Sequence, residues 1–118
     1  MFLVLNSCFT RKSKKNKKLM SSVCIITGSS GLIGSESVAF FSKKFDNVIG
    51  IDNNMRAYFF GNNASTEWNT IRMVNEVSNF EHYSVDIRDI PELEMVFLKY
   101  GSDIKLIVHA AAQPSHDW

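Results

Sequence analysis

Three glycines, Gly28, Gly31 and Gly34, stand three residues apart in the segment TGSSGLIG at 27–34. They follow a short apolar run and open a stretch of helical periodicity, and that context gives the spacing a chemical meaning. Glycine lets the chain turn tightly, lets backbone amides approach a pyrophosphate with no Cβ in the way, and lets a helix pack close to a strand. The helix N-terminus then attracts the negative charge. The spacing differs by one inserted residue from the usual G-x-G-x-x-G. Eighteen residues after Gly34, Asp52 closes a second apolar run, where a dinucleotide-binding fold needs an acceptor for the adenosine ribose hydroxyls. Its charge repels a 2′-phosphate, which favours NAD over NADP. Arg56, four residues on, is a counterweight, since an arginine there can accommodate that phosphate or stack on adenine.

Two further positions follow the same pattern. Asp86 ends a third run, as either an acceptor for the adenine amino group or a simple turn carboxylate. Ala110, Ala111 and Ala112 end a fourth, small enough for a flat nicotinamide ribose to lie against the backbone. His109, inside that run, reads as a core histidine, and His116, in the polar segment after it, is the better functional candidate. Cys8 and Cys24 sit in unlike settings, which suggests neither a disulfide framework nor a metal knuckle. The expectation is a reducing, cytoplasmic setting and no metal.

These residues need a scaffold that alternates strands with helices. Residues 23–27 form a continuous apolar run of the kind buried on both faces of a sheet. A helix is predicted over 33–45, with Val38, Phe41 and Phe45 on one face. A second buried strand follows at 48–52, and 53–65, rich in Asn, Gly and aromatics, is predicted as a long loop. Residues 66–77 read as a helix capped by Thr66 with Trp68, Ile71, Val74 and Val77 as its apolar face. A weaker third strand spans 81–86. Asp89 caps a helix with Pro91 in its first turn and a buried stripe of Leu93, Val96, Phe97 and Tyr100, stopped by Gly101. The fourth strand covers 105–110. This alternation predicts an α/β fold, the first half of a Rossmann-type doubly wound parallel sheet.

The chain has 118 residues, 45% hydrophobic and 21% charged, the balance of a soluble globular protein with room for one modest domain. Residues 1–20 carry six basic residues and no acids. Seven basic against twelve acidic residues remain in the rest, a net charge of −5. The basic run is not interleaved with aromatics and the body is acidic, so neither nucleic acid nor a membrane is an expected partner. Residues 1–21 are expected to be a disordered basic leader, with Met20 the natural start and the nineteen residues before it an upstream extension. Residues 22–118 are expected to be the folded part.

With these motifs in place, residues 22 to 118 resemble the N-terminal part of an extended short-chain dehydrogenase/reductase, the NAD-dependent nucleotide-sugar epimerases and dehydratases. TGSSGLIG, the strand-end aspartate of GIDNNMRAYFFG, DIR and HAAAQPSHDW fall in that group's order and spacing. Two segments, 52–61 continued by 64–69 and 111–118, look like the CDP-tyvelose (CDP-paratose) 2-epimerase branch. The resemblance implies an isomerase that keeps NAD bound. Hydride leaves C2 of the sugar of a CDP-sugar, a 2-keto intermediate forms, and hydride returns to the other face. It implies that Gly28, Ser30, Gly31, Leu32, Ile33 and Gly34 cradle the pyrophosphate, and that Asp52, Asn53 and Arg56 hold the adenosine ribose or its surroundings. It also implies that Asp86 and Ile87 meet the adenine, that Ala110, Ala111, Ala112 and Gln113 line the nicotinamide side, and that Ser115 and His116 contact the substrate.

The resembled group moves its proton with a tyrosine made acidic by a lysine four residues later. Here Tyr58, Tyr83 and Tyr100 are followed at that spacing by Asn62, Ile87 and Ile104. No catalytic residue is therefore assigned in this chain, and the resemblance implies the N-terminal part of a longer, homo-oligomeric enzyme. The alternatives are a sibling UDP- or dTDP-sugar 4-epimerase or 4,6-dehydratase, and a non-catalytic NAD-binding module.

Overall fold

The computed structural model of the protein describes residues 2–5 and 21–112. Its sheet has five strands, in the spatial order β1 (Phe2–Leu5), β5 (Ile104–His109), β2 (Val23–Thr27), β3 (Asn47–Ile51) and β4 (Phe80–Tyr83). Four of them, β2, β3, β4 and β5, are mutually parallel. The crossovers between them are α1 (Leu32–Phe41), α3 (Glu67–Glu76) and α4 (Ile90–Tyr100). All of β2 is buried, as is β3 beyond its first residue, which accounts for their unbroken apolar sequence.

Two apolar layers cover the sheet. On one face Cys24, Ile26, Val48, Phe80, Leu106 and Val108 pack with Val38 of α1 and Met73 of α3. On the other, Val23, Ile25, Ile49 and Ile51 pack with Val96 of α4, flanked by Leu93, Phe97 and Tyr100 as the periodicity predicts. Two crossover helices therefore lie on one side and the third on the other. The sheet reverses its order of addition between β2 and β5, and in an open α/β sheet the crevice at such a switch is where ligands bind. Burial pushes the Cys24 thiol up to about 12, so it remains a neutral core group.

Three elements differ from the sequence expectations. The leader contains a strand, β1 (Phe2–Leu5), antiparallel to β5 with Phe2 opposite His109 and Leu5 opposite Leu106. An apolar tetrapeptide satisfies the row of backbone groups that β5 otherwise leaves unpaired on that edge. The remainder of the leader, residues 6–20, lies outside the described residues. The predicted loop holds a short helix, α2 (Met55–Phe60), and a 3-10 turn over Asn62–Ala64. The third difference is the inward face of α3. Asn69 and Met73 are buried, while Trp68, Ile71 and Val74 are 66%, 56% and 49% exposed. Met73 fills the core and Asn69 meets a polar partner, so this helix is turned away from its apolar sequence stripe. Some ends fall short of expectation: α1 stops at Phe41 rather than 45, and β4 ends at Tyr83 so that Asp86 lies beyond the strand. Thr66 precedes α3 without a side-chain cap, its hydroxyl donating to Asn54 instead, whereas α4 has the expected ends. Asp89 caps α4 by accepting from the Glu92 amide, and Gly101 ends it at a positive φ of 48°.

Candidate functional site

The glycine segment links β2 to α1 at the switch point. Gly28 has φ +67°, a left-handed conformation that favours glycine, and its amide donates to the Ile51 carbonyl at 2.7 Å. A Cβ there would lie 2.7 Å from the Ala111 nitrogen and 2.8 Å from its Cα. Gly28 thus lets the end of β2 touch the segment leaving β5. Gly34 lets α1 close on the same loop, since a Cβ on it would sit 1.9 Å from the Gly28 oxygen. Gly31 is different. Its backbone is extended, with φ −73° and ψ 176°, and the nearest atom to an added Cβ is the Gly28 oxygen at 3.5 Å. Neither strain nor a protein neighbour requires glycine there. The space is open toward the cleft, at the N-terminus of α1. The first amide bonded back along the helix is that of Ser35, to Gly31 at 2.9 Å, so the amides of 32–34 precede the helical ladder. A pyrophosphate fits this cradle by shape and by charge.

Asp52 stands at the end of β3, beside that loop. Its Oδ2 accepts from the Ser30 amide at 3.1 Å and its Oδ1 from the Asn54 amide at 2.8 Å. A carboxylate offers about four lone-pair positions, so each oxygen keeps one open to a further donor. Asn54 has φ 58° and ties together the two ends of the α2 segment. Its Nδ2 donates to Ser65 Oγ at 2.9 Å and its Oδ1 accepts from the Thr66 amide at 2.9 Å. Those bonds hold α2 over the cleft, and Arg56 lies over the Phe60 ring at 5.8 Å. On the far wall Arg88 grips Asp86 through Nη2 at 2.6 Å and Nε at 2.9 Å, and those hydrogen bonds draw the partly buried carboxyl down to about 2. Asp86 is therefore an anion at neutral pH.

The resulting cleft has a volume of about 570 Å³, within the range of small-molecule sites. Of the residues expected from the sequence, Gly28, Gly31, Asp52, Asn53, Arg56, Asp86, Ile87, Ala110, Ala111 and Ala112 line it together. Leu32 and Ile33 point their side chains to solvent, at 81% and 53% exposure, and can offer only their amides. Ser30 faces inward. It is 2% exposed, its hydroxyl meets that of Thr70, and its amide is taken by Asp52. Its place is beneath the loop. Gln113, Ser115 and His116 lie outside the described residues. His109 is held by Thr27 Oγ1 at 2.6 Å from its Nδ1, consistent with a satisfied structural histidine.

Sequence reasoning missed Ile51, Met55, Phe59, Thr66, Val85 and Arg88, which also line the cleft. The spacing of Arg88 two residues after Asp86 was a usable signal. The α2 residues required knowledge that the 53–65 segment folds back. A tyrosine–lysine contact does occur, from Lys99 Nζ to Tyr83 OH at 2.6 Å. It joins α4 to β4, and neither residue lines the cleft. Among the described residues no group of three or more His, Cys, Asp or Glu side chains could hold a metal, and no helix is long and apolar enough to cross a membrane.

Comparison with solved structures gives a similar fold in dTDP-glucose 4,6-dehydratase from Bacillus anthracis str. Ames, determined in complex with NAD. The TM-score is 0.60 at 20% identity, over 79% of this chain and 27% of that one. The chain thus spans about a quarter of that protein's length. No curated protein matches. The family model of the NAD dependent epimerase/dehydratase family matches residues 24–118, the stretch that contains the glycine loop, Asp52 and every wall of the cleft. The chain belongs to the NAD-dependent epimerase/dehydratase family, and its cofactor is NAD.

Proposed function

We propose that this chain is the cofactor-holding N-terminal part of a nucleotide-sugar epimerase that inverts C2 of CDP-paratose to give CDP-tyvelose. The observation that supports the cofactor-holding part of the reading is the open space at Gly31, between the N-terminus of α1 and Asp52, in a cleft at the switch point of the sheet. NAD supplies a reversible hydride acceptor when bound. The chain's own residues would hold it there. The amides of Leu32 and Ile33 face the pyrophosphate, Asp52 and Asn53 take the ribose hydroxyls, and Arg56 flanks the adenosine. Asp86 and Ile87 meet the adenine. Ala110, Ala111 and Ala112 leave the nicotinamide a wall free of side-chain bulk, and the resemblance assigns Gln113 to the nicotinamide side and Ser115 and His116 to substrate contacts.

The resemblance of the 52–61, 64–69 and 111–118 segments to the CDP-sugar 2-epimerase branch supports the substrate assignment. The α2 segment within the first supplies Met55, Arg56 and Phe59 to the cleft wall. The reading places the enzyme in the cytoplasm as a homo-oligomer, with the proton-transfer groups contributed from outside these residues. The test is incubation of the enzyme carrying this chain with CDP-paratose, following C2 by proton NMR. Inversion at C2 with no net change in NAD is expected. Inversion at C4 or 4,6-dehydration of a UDP- or dTDP-sugar, with CDP-paratose untouched, would overturn the substrate assignment.

A further inference from the structure

The polar residue buried on α3 has no role in the core. Asn69 is 5% exposed and its Nδ2 donates to the Ser30 carbonyl at 2.9 Å. Its Oδ1 accepts from Arg72 Nε at 3.0 Å and Nη2 at 2.7 Å. A guanidinium only donates, so the amide oxygen must face Arg72 and the amide NH2 must face Ser30. The next residue, Thr70, meets the Ser30 hydroxyl. The Ser30–Gly31 peptide is thereby held at both ends, its carbonyl by Asn69 and its N–H by the Gly28 oxygen at 3.2 Å. That peptide leads directly into the first amides of α1, and the Ser30 amide reaches Asp52 on the other side.

We infer that Asn69, oriented by Arg72, is a positioning residue that clamps the Ser30–Gly31 peptide so that the α1 amides stand ready for the pyrophosphate of NAD. The inference rests on the reading of the cleft as the NAD site. Asn69 touches no part of the cleft surface and acts through Ser30. Without it the carbonyl of a buried peptide loses its donor, and the loop can rotate away from the geometry the phosphates need. Adenosine, which has no phosphate, depends on the Asp52 and Asp86 walls and is largely indifferent to that rotation.

The test is titration of the 118-residue chain with NAD and, separately, with adenosine, alongside its urea midpoint. Asn69→Asp keeps the shape and the acceptor for Arg72 but sets an oxygen against the Ser30 carbonyl. It should weaken NAD by about tenfold and adenosine by less than about twofold. Arg72→Met, at a half-exposed position, frees the amide to turn and should weaken NAD by about threefold. A folded Asn69→Asp that binds NAD as tightly as the parent overturns the clamp. So does an equal loss for NAD and adenosine, which marks a general structural role. If Asn69→Asp does not fold, Arg72→Met decides, and unchanged NAD affinity there overturns the inference. A parent chain that binds adenosine but not NAD instead overturns the reading of the cleft, and the clamp with it.

Discussion

Replacing Gly31 by alanine separates what the fold needs from what the ligand needs. At φ −73° and ψ 176° alanine is unstrained, and its Cβ would meet the Gly28 oxygen at 3.5 Å, an ordinary contact. Lower chain entropy in the unfolded state raises stability by about 0.4–1 kcal/mol. The poorer N-cap lowers it by about 0.5–1 kcal/mol. These nearly cancel, so the urea midpoint should stay within about 0.5 kcal/mol of the parent. The methyl group projects into the space where the pyrophosphate has to approach the α1 amides, and NAD affinity should fall at least about tenfold, or 1.4 kcal/mol. Gly31→Val fills more of that space and should bind less still. Calorimetric titration with NAD and urea denaturation of the same samples read both quantities. Unchanged NAD affinity in Gly31→Ala would refute the assignment of that space to the ligand, and a loss of more than about 2 kcal/mol of stability would refute the claim that the fold does not need glycine there.

Gly34→Ala should behave in the opposite way. Its Cβ falls 1.9 Å from a backbone oxygen, and forcing α1 off the loop should cost about 3 kcal/mol or more, seen as a collapsed urea midpoint. Asp52→Ala removes the acceptor of the Ser30 and Asn54 amides and, on the proposed reading, that of the ribose. Both NAD retention and stability should drop, the latter by about 1.5–3 kcal/mol in the same denaturation assay. His82 is half-buried with Nδ1 unpartnered, and burial lowers its pKa against the opposing pull of the Asp52 carboxylate. Below the unfolded value of about 6.5 the unfolded chain takes up a proton that the folded chain resists, so stability falls as pH drops from 7 toward 5.5. His82→Gln should flatten that slope in urea midpoints measured across the range.

The parts of this fold that were legible in the sequence are those set by local backbone chemistry or by long apolar runs. The buried strands β2 and β3 and the alternately buried β5 are nearly continuous apolar segments, and Gly28 and Gly34 meet a steric requirement of the strand–turn–helix crossing. Asp52 could be placed because it directly follows the end of β3 at the switch point, whereas Asp86 reaches the same cleft from the segment after β4, three residues past the strand end at Tyr83. Asn69 was invisible for a physical reason. Periodicity counts apolar residues, and α3 buries a polar one against Ser30 while leaving Trp68 and Ile71 exposed. The α2 segment escaped because six residues are too few to show a helical period, and its position depends on Asn54 bonding to Ser65 and Thr66 eleven and twelve residues away. β1 escaped because pairing with β5 is a long-range event that four apolar residues before a basic run do not announce.

The most direct test of the cleft as the NAD site is amide chemical-shift mapping of the isotopically labelled 118-residue chain titrated with NAD. Saturable shifts should concentrate at Gly31, Leu32, Ile33, Asp52, Asn53, Ile87 and Ala111, with NADP shifting the same amides at markedly higher concentration because Asp52 repels its 2′-phosphate. Saturable shifts confined to another surface, or none up to millimolar NAD, would contradict the account.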